Sequence, residues 1–166
     1  MFTELLQDGL WHTTSAERFE SILNAGEILP DPPIPNLQRW GTAEGLSLYP
    51  FVRSIGGVSL FYFSGFDESA YNTKYPLSMW NTFVPCFSGW DEAVWIELDR
   101  SAIANGFIDG TALFARWRQQ NELGRKIMPI IEAAHIGPIP ISAFCRAYKF
   151  NRHNQEFNEI LIPGGK

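Results

Sequence analysis

The chain has 166 residues, 45% hydrophobic and 14% aromatic, the length of one ordinary domain with enough apolar material for a real core, and such a composition argues against disorder. Thirteen basic residues against eighteen acidic ones give a net charge of −5, which excludes the broad basic surface that drives sequence-independent nucleic-acid binding. No apolar run approaches the roughly 20 residues needed to span a bilayer, and Met1-Phe2-Thr3-Glu4 lacks a signal peptide's basic start, so a cytoplasmic protein without a membrane partner is expected.

In chain order, Leu10 and Trp11 read as a short strand that delivers His12 to a strand-to-helix junction. Apolar residues at 16, 19, 22 and 23 share one helical face, Thr14 with Glu17 fits a capping box, and Gly26 is the stop. Such a junction turns a polar side chain and free N–H groups outward together, a corner suited to a small ligand. Pro30, Pro32, Pro33 and Pro35 stiffen a long loop running to Arg53, where Arg39 and Arg53 are the cations available for a phosphate or carboxylate.

Val58 to Ser64 reads as an aromatic-rich strand buried on both faces, and Phe66 to Tyr71 as a helical turn that sets Tyr71 near its end. Trp80, Phe83, Phe87 and Trp90 anchor a covering loop. Ala93 to Leu98 alternates like a half-buried strand, Asp99 opens a capped turn, and Thr111 to Arg118 is a short helix. Ile127 to Gly137 reads as a strand with Glu132 inside its apolar run, and a carboxylate there needs a partner or a task. Strands over Cys145 to Phe150 and Phe157 to Ile162 follow, and Glu159 repeats the situation of Glu132. The whole is α+β in a single domain over 1–166, with a mixed or mostly antiparallel sheet and short helices. Cys86 and Cys145 stand in no metal spacing and read as structural thiols, so no metal is expected, and no phosphate loop or dinucleotide fingerprint is present.

Four ordered segments resemble the ADP-ribosyltransferase superfamily, above all the bacterial toxins that modify thymidine in DNA. Leu10-Trp11-His12-Thr13-Thr14, with Phe19, Ile22, Leu23 and Gly26, is similar to the opening shared by poly(ADP-ribose) polymerases, tRNA 2′-phosphotransferases and those toxins. Phe61-Tyr62-Phe63-Ser64 with Tyr71 is similar to the toxins' second motif. Trp95 to Ser101 with Phe107 to Ala112 is similar to the third. Ile131-Glu132-Ala133-Ala134-His135-Ile136-Gly137-Pro138-Ile139-Pro140 is similar to the segment that holds the catalytic glutamate.

The resemblance implies a split sheet binding NAD as co-substrate, transfer of ADP-ribose to a nucleic-acid base or a protein, and a toxin's role with a neutralising antitoxin partner. Glu132 is then the catalytic glutamate, with Glu159 competing through its likeness to the glutamate strand of poly(ADP-ribose) polymerases. Glu132 is favoured because a proline turn and a further strand follow it. His12, Thr13 and Thr14 would hold the ribose and carboxamide, Tyr62 and Tyr71 would stack on the nicotinamide, and Arg39 or Arg53 would pair with the pyrophosphate. Ile130 and Phe157 stand two positions before the glutamates, which argues against the arginine-modifying class. A catalytically silent module of the same fold, binding an ADP-ribose-like ligand or a protein, is the alternative.

Overall fold

Strand β1 (Leu10–Ser15) sends Leu10 and Trp11 into two different apolar clusters, as a period of two requires. The computed structural model describes residues 2–40 and 45–164. Helix α1 (Ala16–Ala25) begins one residue later than its capping box suggests. Pairing with a later strand continues to Ser15, which keeps Thr14 extended and buried. The cap is therefore Ser15, whose hydroxyl oxygen accepts the Arg18 N–H at 3.2 Å. Gly26 ends the helix at φ 78°, donating its N–H to the Ile22 carbonyl.

After β2 (Glu27–Ile28) the expected loop is not continuous. Short 3-10 turns cover Asn36–Gln38 and Leu46–Leu48, and α2 (Phe51–Ser54) buries Phe51 and Val52. Positions 41–44 of that loop lie outside the described residues. Strand β3 (Gly57–Tyr62) and α3 (Glu68–Lys74) follow, the helix capped by Asp67. Strand β4 (Glu92–Leu98) is more central than its alternation suggests: Ala93, Val94, Trp95 and Ile96 are all fully buried, so both of its faces are covered. The Trp95 indole N–H donates to the Pro85 carbonyl at 2.7 Å, which lets so large a ring sit dry.

Strand β5 (Phe107–Ile108) leads to α4 (Gly110–Gln119), capped by Asp109. The strand expected from Ile127 is shorter: β6 (Glu132–Ile136) starts only at the glutamate. Ile130 takes a positive φ of 69°, and the bend it makes packs its carbonyl against Gly110, where a Cβ would overlap it. The chain closes with β7 (Ile139–Pro140), β8 (Phe144–Asn151) and β9 (Glu156–Ile160).

Seven strands form one sheet in the order β5-β6-β3-β1-β4-β8-β9, every neighbouring pair antiparallel, while β2 pairs with β7 apart from it. The fold is α+β. One core gathers Trp11, Phe61, Phe63, Trp95 and Phe150, the other Leu10, Val58, Leu60, Ile96 and Ile139. Because these alternate along the same strands, the cores lie on opposite faces of the sheet. The centre of the sheet is thinly joined: β1 and β3 pair only at Leu10↔Tyr62 and Trp11↔Phe61, although β1 goes on pairing with β4 to Ser15↔Ala93. Among the described residues no helix is long and apolar enough to cross a membrane. Cys86 is buried as a structural thiol should be, whereas Cys145 is exposed.

Candidate functional site

Where β1 leaves β3, the sheet opens into a cleft of about 530 Å3 lined by His12, Thr13 and Thr14 on one lip and Gly57, Val58 and Ser59 on the other. Strand alternation explains what faces the gap. The Tyr62 N–H points to the β6 side, where it donates to the Ile131 carbonyl at 2.9 Å. Main-chain groups two and three residues away therefore alternate, and those of Ser59 point back toward β1. With the ladder broken there, the His12 ring fills the gap and donates from Nδ1 to the Ser59 carbonyl at 3.0 Å. A carbonyl only accepts, so this bond assigns the proton to Nδ1 and leaves the Nε2 lone pair available. Burial lowers the pKa of His12, against the pull of the Ser59 carbonyl, and the ring is neutral at pH 7.

The Ser59 side chain turns to the other neighbour. Its hydroxyl donates to Glu132 Oε1 at 2.7 Å, and the Met128 N–H donates to Oε2 at 2.8 Å. Glu132 is only 4% exposed, and burial raises its carboxyl from 4.5 to about 7 despite those two donors. Desolvation outweighs hydrogen bonding here. One serine thus connects a neutral histidine and a carboxyl poised at neutral pH, and all three line the same cleft.

One wall of the cleft is aromatic: Phe61 stands beside Phe83, which stacks on Phe87 with centroids 5.3 Å apart, and Trp90 meets Phe87 edge-on. Trp40 packs edge-on against Phe83. Arg18, Arg39 and Arg53 also belong to the lining of the cleft. Arg39 and Arg53 both reach Oδ1 of Asp31, which holds its carboxyl below the usual range. Two polar atoms of this lining, Thr13 Oγ1 and Arg53 Nη1, are buried without a hydrogen-bond partner among the described residues.

Of the residues singled out in the sequence, the fold brings His12, Thr13, Thr14, Arg39, Arg53 and Glu132 to this cleft. It does not bring Tyr62, Tyr71 or Glu159. Alternation turns Tyr62 away from the face of Ser59 and Phe61, and with Tyr71 it lines a separate hollow of about 770 Å3. The Tyr71 hydroxyl donates to the Pro129 carbonyl at 2.7 Å, and burial pushes its pKa up. Glu159 does not repeat the setting of Glu132: it is exposed on the edge strand β9, with β8, β4 and β1 between it and β3. Sequence reasoning missed Ser59 and Asp31, and it read Phe83, Phe87 and Trp90 as anchors of a covering loop and Phe61 as part of a buried strand, not as the wall of a cleft. Ser59 did carry a signal, a polar residue between apolar ones on a strand expected to be buried on both faces.

No family model matches the chain, and no curated protein matches it. Among solved structures it is similar to EcPltA, with a TM-score of 0.37 and 13% identity over 93% of this chain and 83% of that one.

Proposed function

We propose that the protein is an NAD-dependent mono-ADP-ribosyltransferase acting on a macromolecular acceptor, a nucleic-acid base or a protein. The observation that carries this reading is Ser59, which joins Glu132 to His12 across one cleft. The lining suits a dinucleotide, because one cleft gathers a carboxyl, an imidazole acceptor, a cluster of aromatic rings and three arginines. The two unpartnered donors, Thr13 Oγ1 and Arg53 Nη1, are places where a polar ligand restores lost hydrogen bonds.

When bound, NAD supplies a positively charged leaving group: the bond from ribose C1′ to the nicotinamide nitrogen breaks, its electron pair departs with nicotinamide, and an acceptor nucleophile takes its place. Glu132, as a carboxylate, faces the positive charge that grows at the ribose and receives the proton the acceptor sheds. With a pKa of about 7, part of Glu132 is ionised at neutral pH, and that one ionised form serves both as charge and as base. His12 Nε2 accepts from a ribose hydroxyl, and its Nδ1 bond to Ser59 fixes the ring for that task. The nicotinamide stacks on the Phe61 and Phe83 wall in place of Tyr62 and Tyr71. Arg39 and Arg53 meet the pyrophosphate. A toxin's role, a neutralising antitoxin and a cytoplasmic setting belong to the same reading.

The test is release of nicotinamide from NAD by the purified protein, with and without cell lysate, in wild type, Glu132→Gln and Glu159→Gln. Release that rises with lysate and vanishes only in Glu132→Gln supports the reading. No release, with no rise in melting temperature on adding NAD, sinks it. Stabilisation by NAD without turnover under any condition leaves the silent binding module.

A further inference from the structure

We propose that Asp31 is a displaceable internal plug in an anion seat built by Arg39 and Arg53, and that a diphosphate-bearing ligand takes the seat by pushing Asp31 out to solvent. The exposures are lopsided. The side chains of Arg39 and Arg53 are only 13% and 16% exposed, whereas that of Asp31 is 79% exposed. Guanidinium groups held inside a cleft need anionic company, and here two of them converge on a single carboxylate oxygen, Oδ1, presented from the solvent side. Arg53 Nη1, buried and without a partner among the described residues, is the donor this carboxylate leaves unused.

The seat does not depend on its plug. Arg53 lies over the Tyr49 ring, its guanidinium carbon 3.9 Å from the centroid, and Nη2 also donates to Asn36 Oδ1 at 3.2 Å. The Asn36 amide is in turn fixed by the Tyr49 hydroxyl at 3.0 Å. Arg39 Nη2 donates to the Pro30 carbonyl at 3.2 Å. Both cations therefore keep their places once Asp31 swings away. Asp31 gives up an ion pair on the water side, the kind worth least, whereas a diphosphate offers several oxygens to both guanidiniums at once. The plug thus weakens binding of small anions and reserves the seat for a ligand that also fills the rest of the cleft.

The choice of a diphosphate ligand rests on the dinucleotide reading above, and the experiment separates the two. Inorganic pyrophosphate and NAD are titrated calorimetrically into wild type, Asp31→Asn, Asp31→Ser and the double variant Asp31→Asn/Arg53→Gln, each checked for an unchanged fold by circular dichroism. We expect pyrophosphate to bind both single variants roughly three- to tenfold more tightly than wild type, and the double variant to lose that gain. Equal or weaker affinity in both single variants overturns the plug, even where NAD is turned over. Tighter pyrophosphate binding with no NAD binding in any variant upholds the plug and removes the dinucleotide reading instead.

Discussion

Ser59 and Glu132 lie 73 positions apart in the chain, yet the hydroxyl of one sits 2.7 Å from the carboxyl of the other. The bond favours the ionised form of a carboxyl that burial otherwise keeps protonated. Replacing Ser59 by Ala leaves Oε1 buried without its donor, which costs about 1–3 kcal/mol once the carboxyl is charged. Urea unfolding is expected to show that loss at about pH 8 and a smaller one at about pH 5, where the group is protonated. The ionisation limb of any nicotinamide-release profile moves alkaline in the same variant.

Glu132 makes the fold pH-dependent in a stated direction. Its pKa is raised in the folded state, from 4.5 to about 7, so its contribution is fully present below pH 4.5 and is lost as pH rises through 7. The shift corresponds to about 3 kcal/mol. We expect Glu132→Gln to be more stable than wild type at about pH 8 and to lose that advantage at about pH 4, as followed by melting temperature. An advantage that is the same at both ends of the range would falsify the burial argument.

Gly110 is a spacing device. A Cβ there would run into the Ile130 carbonyl oxygen and come within 3.1 Å of the Glu132 carbonyl oxygen, both backbone atoms of the segment that sets the glutamate in place. Gly110→Ala is expected to cost about 3 kcal/mol or more, since backbone has nowhere to retreat. Gly137→Ala is the control: at φ +86° with open space around it, only conformational strain of about 1 kcal/mol applies. Thermal melts of the two variants rank them directly.

The start of α1 offers a fourth stability test. Ser15→Ala removes the hydroxyl that accepts from Arg18 and is expected to cost about 1 kcal/mol. Glu17→Ala, which breaks a capping box if one exists, is expected to stay within about 0.5 kcal/mol of wild type. A larger loss in Glu17→Ala than in Ser15→Ala, measured by denaturant unfolding, restores Thr14 as the cap.

The sequence made the α+β class legible through local patterns, because apolar spacing at 16, 19, 22 and 23 and the run from Val58 to Phe63 need no tertiary information. His12 stood out at a strand-to-helix junction, Glu132 inside an apolar run and Arg39 and Arg53 as the cations of a proline-stiffened loop, and the fold brings all four to one cleft. What stayed hidden depends on neighbours. The cap moved from Thr14 to Ser15 because β4 holds β1 extended for one residue more. Ile127 to Ile131 looked like strand, yet contact with Gly110 bends it. Tyr62 and Phe61 are adjacent aromatics with equal claims on paper, and only the register Trp11↔Phe61 decides which one faces the cleft. Glu159 looked like Glu132 because an edge strand and an inner strand share the same alternation.

The thin join between β1 and β3 also shapes how the molecule is assembled. On one side of it stand β5, β6 and β3, on the other β1, β4, β8 and β9, and the chain shuttles across it from β1 to β3, from β3 to β4, from β4 to β5 and from β6 to β8. Neither half is therefore a continuous piece of polypeptide, and no truncation isolates one. Folding must bring both halves together through contacts between distant parts of the chain, a topology associated with slow folding. The cleft lies along this same seam, and its buried glutamate reaches it only once β6 has emerged and paired with β3.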